Sequence, residues 1–205
     1  MLIDLVVYDG VDELDVVGPL EVLRRANEAG AGFDVRIVAR EPVEMVTGAV
    51  GLKFCPDAVF DTAAEIVVVP GGGWAARADR GAWHEARQGD LLGLLAGAAR
   101  EGVIMAGVCT GTMLLAHAGV VGARRASTHH SAHADLAALG ATVMPDRVTD
   151  DGDLITSGGV TSGLDLACWL VERFASRDLA GFCRAQRRPL ISPPHPSLQP
   201  SPAWR

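Results

Sequence analysis

The sequence Val-Ile-Met-Ala-Gly-Val-Cys-Thr-Gly-Thr-Met-Leu-Leu-Ala-His-Ala-Gly, at residues 103–119, contains the pattern that decides the fold. Residues 103–108 are apolar, small or β-branched, which predicts a buried strand, and the Ala, Leu and Met residues that follow predict a helix. Because no loop residues separate the two, Cys109 must occupy the corner between strand and helix. Gly107 and Gly111 flank it, and this Gly-x-Cys-x-Gly spacing is that of a nucleophile elbow with sulfur in place of the serine oxygen.

The position of Cys109 predicts a reactive thiol. A tight elbow exposes its side chain and aims it at the N-terminus of the next helix, where unpaired N–H groups favour a negative charge. We therefore expect Cys109 to be a thiolate near neutral pH, on an exposed corner. The alternative is a buried structural cysteine, which is the commoner fate of a cysteine outside disulfides.

Composition excludes several classes of function. The chain has 205 residues and a formal net charge of −7, which argues against nucleic acid as a partner. No uncharged apolar run reaches membrane-spanning length, and the first residues do not resemble a signal peptide, so we expect a cytoplasmic protein. The four cysteines lack CxxC spacing, so neither a metal site nor a disulfide framework is expected, and no cofactor is implied.

Strands and helices alternate along most of the chain. Strands are predicted at residues 2–7, 33–39, 66–69, 103–108, 124–130, 141–144, 147–149 and 154–157. Helices are predicted at 19–28, 82–101, 131–139 and 162–175, the first beginning at Pro19 because proline suits a first helical turn. A hairpin or irregular excursion is predicted at 42–56, and Asp151-Gly152 predicts a hairpin turn. The alternation indicates a flavodoxin-like, doubly wound α/β sandwich with a mostly parallel central sheet.

The chain is predicted to form one domain, residues 1–187, followed by a proline-rich tail, residues 188–205. Six prolines fall between residues 189 and 202, which is typical of an extended or disordered segment or of one that packs on a neighbouring subunit.

Three further groups are expected at the carboxyl edge of the sheet. Pro70-Gly71-Gly72-Gly73 follows a buried strand, and the amides of Gly72 and Gly73 are candidates for binding substrate or an oxyanion, although the run could also be a simple turn. His129 follows a short strand and could donate a proton or line the pocket. Asp15 lies after the first strand and just before the predicted helix, at the same edge as Cys109, although it could also be a solvated loop carboxylate.

Several motifs together resemble the ThiJ/PfpI superfamily, which is related to class I glutamine amidotransferases. The segments 14–22 (Leu-Asp-Val-Val-Gly-Pro-Leu-Glu-Val), 109–111 and 158–165 resemble its isonitrile hydratase branch. The resemblance implies that Cys109 is the nucleophile and Asp15 the general acid/base, with Thr110 at the position after the nucleophile. The protease-like branch has His where this chain has Thr110, and the amidotransferase triad would need a late His-x-Glu, which is missing.

The resemblance implies a lyase that hydrates an isonitrile to an N-substituted formamide through a covalent Cys109 thioimidate, with Asp15 moving protons. It also implies a homodimer acting on a small molecule. Two alternatives remain open at this stage. One is a non-enzymatic sensor or regulatory module in which Cys109 is oxidised. The other is a hydrolase or glyoxalase-like activity at the same cysteine.

Overall fold

The computed structural model describes residues 1–61 and 63–186. The strands are β1 (Leu2–Val7), β2 (Asp34–Ala39), β3 (Val46–Thr47), β4 (Lys53–Phe54), β5 (Ala58–Val59), β6 (Ile66–Val69), β7 (Ile104–Val108), β8 (Arg125–Ala126), β9 (Thr142–Val143), β10 (Val148–Asp150) and β11 (Leu154–Ser157). The helices are α1 (Glu13–Glu28), α2 (Ala82–Gln88), α3 (Asp90–Arg100), α4 (Gly111–His117), α5 (His133–Ala138), α6 (Ser162–Phe174) and α7 (Arg177–Gln186), with a 3-10 turn at His130–Ala132.

Seven strands form the central sheet in the order β10-β11-β7-β6-β1-β2-β5. All neighbouring pairs are parallel except β10 and β11, which form the hairpin predicted from Asp151-Gly152. All four residues of β6 are fully buried, as expected for a parallel strand covered on both faces. Helices α1, α6 and α7 pack on one another, and α2, α3 and α4 form a second group. The predicted flavodoxin-like α/β class is therefore confirmed.

The first helix begins earlier than predicted. Asp12 caps it, its Oδ1 accepting a hydrogen bond from the Leu14 amide at 3.1 Å, and the helix runs from Glu13 with Pro19 inside it. A capping aspartate outweighs the preference of proline for a first turn, at the cost of one internal backbone hydrogen bond. Asp15 consequently lies in the first turn of α1 rather than in a loop before it.

Three other boundaries also differ from the prediction. The helix expected over 82–101 is two helices, because Gly89 adopts φ 90° and separates α2 from α3. The strand expected at 124–130 is the short β8, which pairs with β9 outside the central sheet. The helix expected from Ser131 starts instead as the 3-10 turn, with His129 as its cap, and becomes α-helical at His133.

Residues 42–56 contain the β3–β4 hairpin, and a hairpin was one of the two structures predicted for this segment. The proline-rich tail at 188–205 lies outside the described residues. Within residues 1–61 and 63–186, no helix is both long and apolar enough to span a bilayer.

Candidate active site

Cys109 lies at the corner between β7 and α4, as the elbow pattern predicts. Its φ is 55°, a left-handed conformation that is strained for any residue with a Cβ. Neither flanking position has room for a side chain. A Cβ on Gly107 would lie 2.6 Å from Thr112 Oγ1, and a Cβ on Gly111 would collide with the Val69 carbonyl. The corner does not expose the thiol, however. Cys109 is 6 % exposed, so the expectation of an exposed side chain was wrong.

Two backbone amides hydrogen-bond to the Cys109 sulfur, those of Thr110 and Val160. Thr110 is the cap residue of α4, and Val160 follows β11, the strand that lies directly beside β7. Val160 also has a left-handed φ, 44°, which is unusual for a β-branched side chain. The Cys109 amide in turn donates to the Gly158 carbonyl at 3.1 Å. The sulfur is therefore held between two turns, and both turns are strained.

Asp15 is fully buried beside Cys109. Its Oδ2 accepts a hydrogen bond from the Gly71 amide at 3.0 Å, while among the described residues no group completes a hydrogen bond of ordinary geometry to Oδ1. Burial raises the pKa of Asp15 from 3.8 to about 7, and the charge of Asp12 adds to the increase. The Gly71 hydrogen bond and the nearby Cys109 thiol lower this pKa in part. A carboxyl group that titrates near neutral pH is suited to accept and donate protons there.

Cys109 is not poised as a thiolate. Burial, followed by the negative charge of Asp15, raises the pKa of its thiol from 9.0 to about 12, although the Val160 and Thr110 amides lower it in part. The prediction of a thiolate near neutral pH was therefore wrong. The helix-terminus effect on which that prediction rested is present, but desolvation and the adjacent carboxylate outweigh it. At neutral pH the site contains a thiol next to an acid/base group.

Strand order explains why these groups meet. In the sheet, β6 lies between β7 and β1, so Cys109 at the end of β7 and Asp15 in the helix after β1 both lie next to the Pro70-Gly71-Gly72-Gly73 run that follows β6. Gly71 must lack a side chain, because a Cβ there would lie 2.5 Å from the Thr110 nitrogen. The Gly72 amide donates to Thr110 Oγ1 at 2.9 Å, so these two predicted site residues are paired with each other. Gly73 is partly exposed, with φ 69°.

His129 lies against Gly159, the residue before Val160. Its ring is 4.1 Å from that of His130 and rests against Gly159, where an added Cβ would collide with it. Burial and the neighbouring His130 and His133 lower the pKa of His129. A cleft of about 270 Å³ opens here, lined by His129, Gly159 and Val160 among others. No hydrogen bond between described residues links His129 to Cys109 or Asp15, so a direct proton-transfer role stays a prediction.

Sequence reasoning missed two members of this site. Val160 contributes a backbone amide, and only its place after Gly158-Gly159 hinted at a special turn. Tyr8 lies at the end of β1 and donates its hydroxyl proton to the Pro70 carbonyl at 2.5 Å. Of the other cysteines, Cys55 is exposed, whereas Cys168 and Cys183 are buried. No cluster of His, Cys, Asp or Glu suited to a metal occurs in the described parts of the chain.

A mostly parallel α/β sheet with a cysteine at the strand–helix elbow defines the class as flavodoxin-like proteins with a cysteine-centred site. The model of the DJ-1/PfpI family matches residues 2–173, so the chain belongs to the DJ-1/PfpI family. It is 32 % identical over 203 residues to the isonitrile hydratase of Pseudomonas putida, an alignment that covers 98 % of this chain and 84 % of that protein.

Two further comparisons agree with the family. The chain is 29 % identical to the Parkinson disease protein 7 homolog of Danio rerio, over 91 % of this chain and 95 % of that one. The crystal structure of a ThiJ/PfpI family protein from Pseudomonas syringae superposes with a TM-score of 0.82 at 27 % identity, covering 97 % of this chain and 78 % of that chain.

Proposed function

We propose that this protein is an isonitrile hydratase-like lyase, which adds water to R–N≡C and releases the formamide R–NH–CHO. The observation that carries the proposal is the buried Asp15 carboxyl group beside the Cys109 thiol, with a pKa of about 7. The reaction needs one group that bonds to carbon and one that moves protons on and off the same substrate. The similarity to an isonitrile hydratase over nearly the whole chain supports the same reaction.

The steps follow from these two groups. Asp15 accepts the thiol proton as Sγ bonds to the terminal isonitrile carbon, and then gives that proton to the same carbon, which yields the thioimidate R–N=CH–S. Water adds across the C=N bond, its oxygen to carbon and one proton to nitrogen. The C–S bond then breaks as the carbonyl forms, and Asp15 returns the hydroxyl proton to the departing sulfur. The Thr110 and Val160 amides stabilise the charge on sulfur as it attacks and departs.

The restricted access to Cys109 also favours this substrate. A linear isonitrile group is slim enough to reach a thiol that is only 6 % exposed. We assign the adjoining cleft, with His129 on its wall, to the R group, and we place Gly72 and Gly73 at the margin of the site. Thr110, whose hydroxyl accepts the Gly72 amide hydrogen bond, holds an accessory position.

A redox sensor is the less favoured alternative. Peroxide attacks the thiolate form of cysteine, so sensor cysteines have a low pKa and are accessible to solvent. Burial and the Asp15 charge give Cys109 the opposite properties. We further propose a cytoplasmic homodimer. The support for the dimer is an apolar surface at the start of α1, where Leu14, Val17, Val50 and Leu52 are exposed.

The test uses the purified protein, an aromatic isonitrile and a spectroscopic assay for the formamide. We expect Cys109→Ala and Asp15→Asn each to reduce turnover to near background, and the double variant to be little worse than either, because the two groups act as one unit. Cys55→Ser is the matched control, since Cys55 is exposed and outside the site. Full activity of Asp15→Asn, or no formamide from the wild-type protein, would reject the proposal.

A further inference from the structure

Tyr8 is connected to the catalytic carboxylate through a single peptide unit. Its hydroxyl donates to the Pro70 carbonyl oxygen at 2.5 Å, and the amide of the next residue, Gly71, donates to Asp15 Oδ2 at 3.0 Å. The carbonyl of Pro70 and the N–H of Gly71 belong to the same planar peptide group. The two hydrogen bonds therefore form a continuous chain from the phenol to the carboxylate, and both are buried.

We propose that Tyr8 is a positioning residue, whose hydroxyl fixes and polarises the Pro70–Gly71 peptide and so strengthens the hydrogen bond that this peptide donates to ionised Asp15. A donor at the carbonyl end of an amide withdraws electrons from its N–H, which becomes a better donor, and such cooperativity is strongest where the dielectric is low. The proposal rests on the role proposed for Asp15 as the acid/base group of the site.

The charges around Tyr8 keep it in the donating form. It faces Asp15, Glu85, Cys109 and Asp12, all of which are neutral or negative, and the one cation lining the same pocket among the described residues, Arg40, is paired with Glu85. Burial and these acidic neighbours raise the pKa of Tyr8 well above 10, so its proton stays in place throughout the range in which Asp15 titrates. Asp15 itself faces Asp12, Cys109 and the Gly71 amide. A change in the titration of Asp15 on altering Tyr8 therefore reports on the hydrogen-bond chain and not on ionisation of the phenol.

The first experiment compares Tyr8→Phe with the wild-type protein. The rate at which iodoacetamide alkylates Cys109 is followed against pH by mass spectrometry of the Cys109 peptide. We expect the rate to rise as Asp15 ionises and becomes able to accept the thiol proton. Without the phenol hydroxyl, the hydrogen bond from the Gly71 amide to ionised Asp15 should weaken by roughly 10–30 %. The midpoint of the rise should therefore move upward by roughly 0.2–0.6 of a pH unit. The control is Thr149→Val. It removes a buried hydroxyl on β10 that contacts Ser127, and it should leave the midpoint in place.

A second measurement keeps the test decisive if Tyr8→Phe does not fold. Tyr8 is the only tyrosine of the chain, so growth on 3-fluorotyrosine makes this one phenol more acidic and alters no other side chain. A more acidic phenol is a stronger donor, and the midpoint should then move downward, opposite to the effect of Tyr8→Phe. A residue that merely fills space would shift the midpoint in neither direction. An unchanged midpoint in the fluorinated protein overturns the proposal. Because alkylation needs no isonitrile, this result is independent of whether the hydratase reaction occurs.

Discussion

Asp15 and Cys109 determine each other's protonation because they are buried side by side. The negative charge of Asp15 raises the pKa of the thiol, and desolvation raises the pKa of Asp15 to about 7. The pair therefore rests as thiol and partly ionised carboxyl group near neutral pH. In the proposed reaction, a proton passes from sulfur to the Asp15 oxygen as the substrate binds, so that a thiol of low acidity acts as a nucleophile only when a substrate is present.

Ionisation of Asp15 should destabilise the folded state. Its pKa rises from 3.8 to about 7 on folding, so between these pH values the unfolded chain has released its proton while the folded chain retains it. The free energy of unfolding therefore falls as pH rises from about 4 to 7 and then levels off. Asp15→Asn removes this effect and should be more stable than the wild-type protein above pH 7, by up to about 4 kcal/mol. Urea unfolding at pH 5 and pH 8 measures the free energy of unfolding of both proteins. If the variant exceeded the wild-type protein by the same free energy at both pH values, the prediction would be contradicted.

Two strained turns, after β7 and after β11, hold the sulfur between their amides. Cys109 and Val160 both have left-handed φ values, 55° and 44°. Such conformations cost a residue with a side chain of the order of 1–3 kcal/mol each, and they persist where the surrounding structure enforces them. Because β7 and β11 are neighbours, the two turns meet at one edge of the sheet. The strain is thus concentrated around the Cys109 sulfur.

Val160→Gly should relieve part of this strain. Glycine adopts positive φ without a Cβ clash, so we expect the variant to be as stable as the wild-type protein or more stable, by about 1 kcal/mol. Val59→Gly is the matched control: Val59 is 40 % exposed against 38 % for Val160, but it lies in strand β5. There the loss of the side chain should destabilise the fold by about 1 kcal/mol. If both variants were destabilised equally in chemical unfolding, the Val160 turn would not be strained.

The molecule as a whole has an apolar surface where α1 begins. Leu14 and Val17 are 39 % and 37 % exposed, and Val50 and Leu52 are 88 % and 47 % exposed. Glu13 joins the two segments, because its Oε1 accepts hydrogen bonds from the amides of Val50 and Leu52. Apolar side chains gathered in this way are typical of an interaction surface. We infer that a second copy of the chain covers it.

We therefore expect the wild-type protein to sediment as a dimer, with about twice the 21.4 kDa mass of the chain, at micromolar concentration. Val17→Glu places a charge in this surface and should shift the protein to the monomer. Leu139→Glu is the control, since Leu139 is 42 % exposed but lies at the end of α5. A monomeric wild-type protein, or equal dissociation by both substitutions, would contradict the prediction.

Local sequence was enough to predict the elements that surround Cys109. The β-branched run of β6, the apolar run of β7 and the Ala/Leu-rich start of α4 each fix their own structure through side-chain shape and burial. The Gly-x-Cys-x-Gly spacing determined the elbow, because only residues without a Cβ fit on either side of such a corner. Boundaries set by competing local preferences were less predictable: the Asp12 cap moved the start of α1 ahead of Pro19.

Only the tertiary structure decided the chemistry of the site. The pKa values of Cys109 and Asp15 depend on desolvation and on charges from segments distant in sequence, which no local pattern contains. The Val160 amide reaches the sulfur because β11 lies beside β7. Tyr8 is connected to Asp15 through the Pro70–Gly71 peptide, which follows β6, because β1 and β6 are neighbours in the sheet. The sequence alone determined that Cys109 lies at the elbow, whereas the strand order determined the protonation of its thiol, since electrostatic interactions act through space and not along the chain.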